Sequence, residues 1–174
     1  MGSRVANEAH RRLSHYLPRL FGYAVSLIRD DDQARDLVQD CALRALKARS
    51  VPTDEAAYRA WLFAILRNAA IDARRRRRGH VVPIEPDVPA GPVWGFDDST
   101  IATVTIRQAL RRLSDEAREV IALVDIAGFS YAETASLLGV PAGTVMSRVS
   151  RARQMLLDVI ARSSVRPLKL RQRS

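Results

Sequence analysis

Leu13, Leu17 and Leu20 stand four and three residues apart, the repeat of one face of an α-helix. A second amphipathic run carries Leu37, Val38, Leu43 and Leu46. Asp30, Asp31 and Asp32 stand at its start, where carboxylates cap free backbone N–H groups and favour the positive end of the helix dipole. Residues 50–57, with Pro52, break the repeat, and Tyr58 to about Arg78 resume it. Further along, Ile106, Leu110 and Leu113 form one stripe and Val120, Ile121 and Val124 another, and two shorter helices follow. No convincing alternation of period two occurs outside the proline-bearing middle of the chain, so the pattern predicts an all-α fold.

That middle divides the chain. Pro83, Pro86, Pro89 and Pro92 recur every third residue beside Gly91 and Gly95. The stretch carries Glu85, Asp87, Asp97 and Asp98 with no Lys or Arg, directly after the all-basic run from Arg74 to Arg78. A solvated acidic linker of about 22 residues is expected there, with a reach of about 75 Å at roughly 3.4 Å per residue. The expected organisation is therefore two small helical domains joined by a proline-rich linker. Their boundaries are 8–78 for the first, 79–101 for the linker, 102–162 for the second and 163–174 for a basic tail. Domains this small have limited cores and modest independent stability.

Charge narrows the function. The 174 residues carry 28 Lys and Arg against 19 Asp and Glu, a formal charge of +9, on a chain that is 47% hydrophobic. Such an excess favours polyanions, because each cation that meets a phosphate releases condensed counterions. No apolar run approaches the roughly 18 residues that span a bilayer, and no secretory signal pattern opens the chain, so a cytoplasmic protein without membrane insertion is expected. The single cysteine, Cys41, has no partner at metal-ligand spacing, and its helical setting fits a small core residue. No phosphate-binding glycine loop or HExxH motif is present, and His10, His15 and His80 form no catalytic constellation. Neither a metal, a cofactor nor enzymatic activity is expected.

The strongest local signal is a helix-turn-helix from Tyr131 to Val149. Ala135 supplies the small residue needed where two helices approach, Gly139 the residue able to take positive φ at the turn, and Pro141 a stop to the first helix. In the second helix Val145, Val149, Ala152 and Leu156 fix the buried face. At about 100° per residue, Ser147, Ser150 and Gln154 then point outward, with Met146 and Arg151 on the shoulders and Arg148 and Arg153 on the flanks. Such a helix suits a major groove, where hydroxyls and guanidinium forks reach base edges and flanking arginines hold phosphates. From Ala142 onward eight Lys or Arg stand against Asp158 alone.

In the first half, Trp61, Ile65, Asn68 and Asp72 align on one helical stripe with Arg75 close by, beside a separate apolar stripe of Leu62, Leu66, Ala69 and Ala73. Rings that stack on bases, an amide for a base edge and the run from Arg74 for a backbone together suit single-stranded nucleic acid. Trp61 equally suits the core, and Asp72 equally suits an intrahelical pair with Arg75 or Arg76.

Four segments together resemble a known family: Leu37-Val-Gln-Asp-Cys-Ala-Leu-Arg-Ala-Leu46, Tyr58-Arg-Ala-Trp-Leu-Phe-Ala-Ile-Leu-Arg-Asn-Ala-Ala-Ile-Asp-Ala-Arg-Arg75, Leu113-Ser-Asp-Glu-Ala-Arg-Glu-Val-Ile121 and Gly143-Thr-Val-Met-Ser-Arg-Val-Ser-Arg-Ala-Arg153. In order and spacing they look like an extracytoplasmic-function sigma factor of the sigma-70 family, over about residues 13–160. The resemblance implies a region 2 domain that engages the clamp of core RNA polymerase and the minus-10 element. It also implies a region 4 domain that reads the minus-35 element and touches the polymerase flap, with an anti-sigma factor as a further partner. It assigns Asp36, Gln39, Asp40 and Arg44 to the polymerase contact, and Trp61, Asn68, Arg74 and Arg75 to minus-10 DNA. Residues 50–57 would be the loop that captures a flipped base. Thr144, Met146, Ser147, Arg148, Ser150 and Arg151 would read minus-35 DNA. Met146 departs from the Arg or Lys common there, and Ser150 from a larger side chain, so the resemblance fixes no promoter sequence. A stand-alone operator-binding dimer and an RNA-binding adaptor are the alternative functions compatible with the same residues.

Overall fold

The computed structural model describes residues 2–79 and 109–164, with side chains described for 7–76 and 109–161. The proline-rich linker, Ile106 and the basic tail lie outside the described residues.

The first half is built from α1 (Gly2–Ile28), α2 (Asp31–Lys47) and α3 (Glu55–Gly79). Asp30 caps α2 as its position suggests, its Oδ1 accepting from the Gln33 amide at 3.0 Å. Asp54 does the same for α3 through the Ala57 amide at 2.8 Å. The helix therefore starts three residues before Tyr58, and the break between α2 and α3 is only residues 48–54. Leu13, Tyr16, Leu20, Tyr23, Ala24 and Leu27 of α1 pack against Leu37 and Cys41 of α2 and Leu62, Phe63 and Leu66 of α3. Burying each such leucine stabilises the fold by about 1.5–3 kcal/mol. On α2 the buried positions are Ala34, Leu37, Cys41 and Ala45, whereas Leu43 and Leu46 are 52% and 41% exposed. At about 100° per residue Leu43 and Leu46 fall on the side of the helix opposite these four, so the two leucines are left outside. Cys41 is buried, its Sγ 3.5 Å from the Leu62 carbonyl, and burial pushes its thiol up to about 12, which makes it an inert core residue.

The second half contains α4 (Asp115–Ile121), which runs on as a π-helical turn over Ala122–Ile126, then α5 (Tyr131–Leu138) and α6 (Ala142–Ser164). Ser114 caps α4 through the Ala117 amide. Leu113, Val120, Ile121, Ala135, Val145, Val149 and Ala152 form the core of this half. The π turn adds a residue to the helical repeat and redirects the next side chains. Ala122, Leu123, Ala127 and Phe129 thus leave that core and join the one built by α1 and α3. The chain has two helical units, and in this arrangement they are packed together and not held apart.

Candidate nucleic-acid interface

The helix-turn-helix is assembled by caps at both ends of α5. Ser130 and Glu133 form a reciprocal capping box, with the Ser130 Oγ accepting from the Glu133 amide and a Glu133 oxygen accepting from the Ser130 amide at 2.8 Å. At the other end Gly139 takes φ 67° and ψ 36°, a left-handed conformation that side chains disfavour. The Val140 amide then donates back to the Ala135 carbonyl at 3.1 Å. Pro141 follows, and its carbonyl accepts from the Thr144 amide at 2.9 Å as α6 begins.

The predicted faces of α6 are present. Val145, Val149 and Ala152 are buried, while Met146, Ser147, Ser150 and Arg151 are exposed and Thr144 and Arg148 are half-buried. Ser147 Oγ donates to the Thr144 carbonyl at 3.0 Å, and Arg151 Nε to the Ser147 carbonyl at 3.2 Å. These contacts lie within the exposed helix and are exchangeable for a ligand's acceptors. Arg153 is held by Asp125 at 2.5 Å, which turns it away from that face.

In the first half, α2 and α3 enclose a groove of about 420 Å³ lined by Leu37, Asp40, Arg44, Ala69, Asp72, Arg75 and Arg76. It brings together residues that the sequence places in two different roles, Asp40 and Arg44 on one wall and Arg75 on the other. Asp36 and Gln39 are exposed on the same helix as Asp40, and Asn68 is exposed on α3. Trp61 is half-buried, its ring 5.7 Å from that of Tyr58. Arg74 stands apart from this set. It points to the second half and pairs with Asp115.

Sequence spacing gave no sign of what holds the loop over residues 48–54. Arg12 of α1 donates to the carbonyls of Pro52 at 2.8 Å and of Thr53 and Asp54 at 3.1 Å, and its Nε donates to Glu55 at 2.8 Å. Its guanidinium lies 3.8 Å from the centre of the Tyr58 ring. Tyr16 Oη donates to the other Glu55 oxygen at 2.5 Å. The only local signal is that Arg12 and Tyr16 are one helical turn apart, as are Glu55 and Tyr58. The Tyr16 hydrogen bond, and then Arg12, hold the Glu55 carboxyl below the usual carboxylate range. A carboxyl lowered on folding stabilises above its unfolded pKa, and that contribution is lost as pH falls through the folded value. Protection of the amides over residues 53–57, relative to their intrinsic exchange at the same pH, is therefore expected to fall below about pH 4, and Arg12→Ala is expected to produce the same loosening at neutral pH. Unchanged exchange in the variant would show that the clamp does not order the loop.

Among the described residues no helix is long and apolar enough to cross a membrane. The family model for Sigma-70 region 2 matches residues 13–80, and that for Sigma-70 region 4 matches residues 103–156. The ECF RNA polymerase sigma factor SigM of Mycobacterium tuberculosis is 36% identical over 154 residues, covering 87% of this chain and 73% of the relative. EcfG of Rhodopseudomonas palustris, another ECF RNA polymerase sigma factor, is 37% identical over 142 residues, 80% of this chain and 78% of the relative. Among solved structures, the sigma factor RpoE of Bartonella quintana, in complex with the anti-sigma factor NepR, matches with a TM-score of 0.68 and 34% identity over 87% of this chain and 96% of that one. CnrH in complex with the cytosolic domain of CnrY matches with a TM-score of 0.60 and 26% identity, over 90% and 89% of the two chains. With a helix-turn-helix in one half, a grooved three-helix unit in the other and family matches to both, the chain belongs to the extracytoplasmic-function sigma factors of the sigma-70 family, alternative sigma factors for promoter recognition and transcription initiation.

Proposed function

We propose that the two halves divide promoter recognition between duplex and unpaired DNA, with domain limits at 8–78 and 102–162, a linker over 79–101 and a basic tail over 163–174. The observation that carries this reading is the outward face of α6. Six of its residues, Thr144, Met146, Ser147, Arg148, Ser150 and Arg151, lie opposite or beside a fully buried valine stripe and are open to a major groove. Ser147 and Arg151 reach base edges, Arg148 holds phosphate, and Met146 and Ser150 supply apolar and small contacts.

In the first half, Asp36, Gln39, Asp40 and Arg44 on α2 form the contact with the polymerase clamp, and Asn68 and Arg75 on α3 follow the melted minus-10 strand. Arg74 joins them once its pair with Asp115 is released. The loop over residues 48–54, braced by Arg12, takes up a flipped base, with Trp61 behind it as the packed end of the α3 stripe. Capture of unpaired bases offsets an unstacking cost of a few kcal/mol, so binding and not hydrolysis drives melting, and the chain is no enzyme on its own. It acts in the cytoplasm with core polymerase. The compared sigma factors in complex with an anti-sigma factor support a protein partner of that kind here.

Asn68→Ala tests the division of labour. It is expected to leave minus-35 duplex binding unchanged and to reduce permanganate-reactive open complexes about 10-fold, as loss of one base-edge contact worth roughly 1–3 kcal/mol requires. Footprints identical to those of the unaltered chain would remove Asn68 from the mechanism.

A further inference from the structure

We propose that the cleft between α1 and the outer rim of the loop over residues 48–54 is a second nucleotide subsite. Arg11 and His15 hold the nucleotide next to the captured one on the unpaired strand, and Glu8 and Glu55 select a base that bears an amino group. The subsite rests on the reading, given above, that the loop takes up a flipped base.

Glu8, Arg11, Arg12 and His15 fall at helical spacing and so share one face of α1. Thr53 and Glu55 stand opposite them across a cleft of about 670 Å³. That volume lies within the range of roughly 300–1,000 Å³ typical of ligand sites. Thr53 belongs to the very segment whose carbonyls Arg12 holds, and Glu55 follows it at the start of α3. A strand that yields one base to the loop thus has this cleft beside it for the next nucleotide.

The side chains divide into those already committed and those open to a ligand. Arg12 is spent on the loop carbonyls and on Glu55. His15 is exposed, and among the described residues no hydrogen bond engages it. Its ring meets that of Tyr16 edge to face with centres 5.2 Å apart, and Tyr16 is itself anchored on Glu55 at 2.5 Å. Packing therefore places the imidazole while its nitrogens stay available. Arg11 is paired with Glu8 on the same helix, both side chains being more than half exposed. Such a pair contributes little in water and yields to a phosphate, which the guanidinium takes up more strongly.

Selection comes from the acids. Glu55 accepts from Tyr16 through one oxygen and from Arg12 through the other, and Glu8 accepts from Arg11 through Oε2. A carboxylate oxygen accepts more than one hydrogen bond, so both groups keep acceptor capacity and offer no donor. Adenine, cytosine and guanine answer such a wall with an exocyclic amine. Thymine carries O4 and a methyl group where adenine carries N7 and its amine, which sets acceptor against acceptor. Stacking on the imidazole adds affinity for all four bases alike.

Lifetimes of complexes between premelted promoter templates, taken from mapped start sites, and holoenzyme assembled from core RNA polymerase and the full chain test the subsite. An abasic scan of the unpaired strand first locates the captured base as the position of greatest loss. Each neighbour of that position is then varied through the four bases. At one neighbour the complexes are expected to last about 10-fold longer with adenine, cytosine or guanine than with thymine, within what one base contact supplies. Arg11→Ala with His15→Ala is expected to bring these three down to the thymine lifetime, and Glu8→Gln to narrow the difference. A merely structural role for this face of α1 would shorten all four lifetimes by one factor, and that result overturns the proposal. Equal lifetimes on all four templates with the unaltered chain, beside a sensitive abasic position, overturn the second subsite alone. A scan with no sensitive position removes base capture and the subsite with it.

Discussion

Arg118→Met is expected to destabilise the second half by about 3–5 kcal/mol, the cost of breaking a buried charged network from one side. The guanidinium sits in α4 and donates Nε to the Leu110 carbonyl at 3.1 Å, Nη2 to the Leu113 carbonyl at 2.9 Å and to Asp115 at 3.1 Å, and Nη1 to the Ser26 carbonyl. Methionine fills part of the volume and satisfies none of these acceptors, and a buried acceptor left bare keeps its full desolvation penalty. Burial and the neighbouring Arg29 lower the Arg118 pKa, while Asp115 opposes both, so the cation is tolerated because its network is complete. Thermal or urea unfolding of the full chain, followed by amide exchange in α4–α6, reads the effect. A melting temperature within a degree or two of the unaltered chain would show that the network contributes little.

The second large effect concerns α6. Replacing Arg148 and Arg151 together by alanine is expected to weaken binding of a minus-35 duplex by about 10- to 100-fold and to lower the logarithmic salt slope by about 1, the share of the phosphate contact at Arg148. Neither side chain belongs to the buried stripe of Val145, Val149 and Ala152, so the fold survives the change and circular dichroism stays unaltered. Gln154, engaged by Asp158 at 3.0 Å, serves as a control whose replacement leaves affinity nearly unchanged. An unchanged slope in the double variant would mean that phosphates are held elsewhere.

Much of the fold is legible in the sequence because helical periodicity is a local property. The capping role of Asp30, the turn at Gly139 and the buried stripe of α6 all depend on residues within a few positions of one another. The exposure of Leu43 and Leu46 is less legible, since a stripe drawn through the large apolar residues passes over Ala34, Cys41 and Ala45, the small residues that share the buried face with Leu37. The contact between the halves was beyond reading altogether. Its pairs join residues more than 40 positions apart, such as Arg67 with Glu119 and Arg59 with Glu133, across a segment whose composition suggests separation. The π turn that redirects Leu123 and Phe129 leaves no periodic mark long enough to detect. At the site, the outward residues of α6 follow from helix geometry, whereas the Arg12 clamp on residues 52–55 arises only from the packing of α1 on α3.

The decisive measurement is transcription in vitro from a fragmented genome by core RNA polymerase, with and without the purified chain, followed by mapping of the 5′ ends. Addition of the chain is predicted to produce discrete start sites preceded by shared upstream sequences, and none of these when core enzyme acts alone. No added starts, together with dimeric binding of the chain to palindromic duplexes, would contradict it.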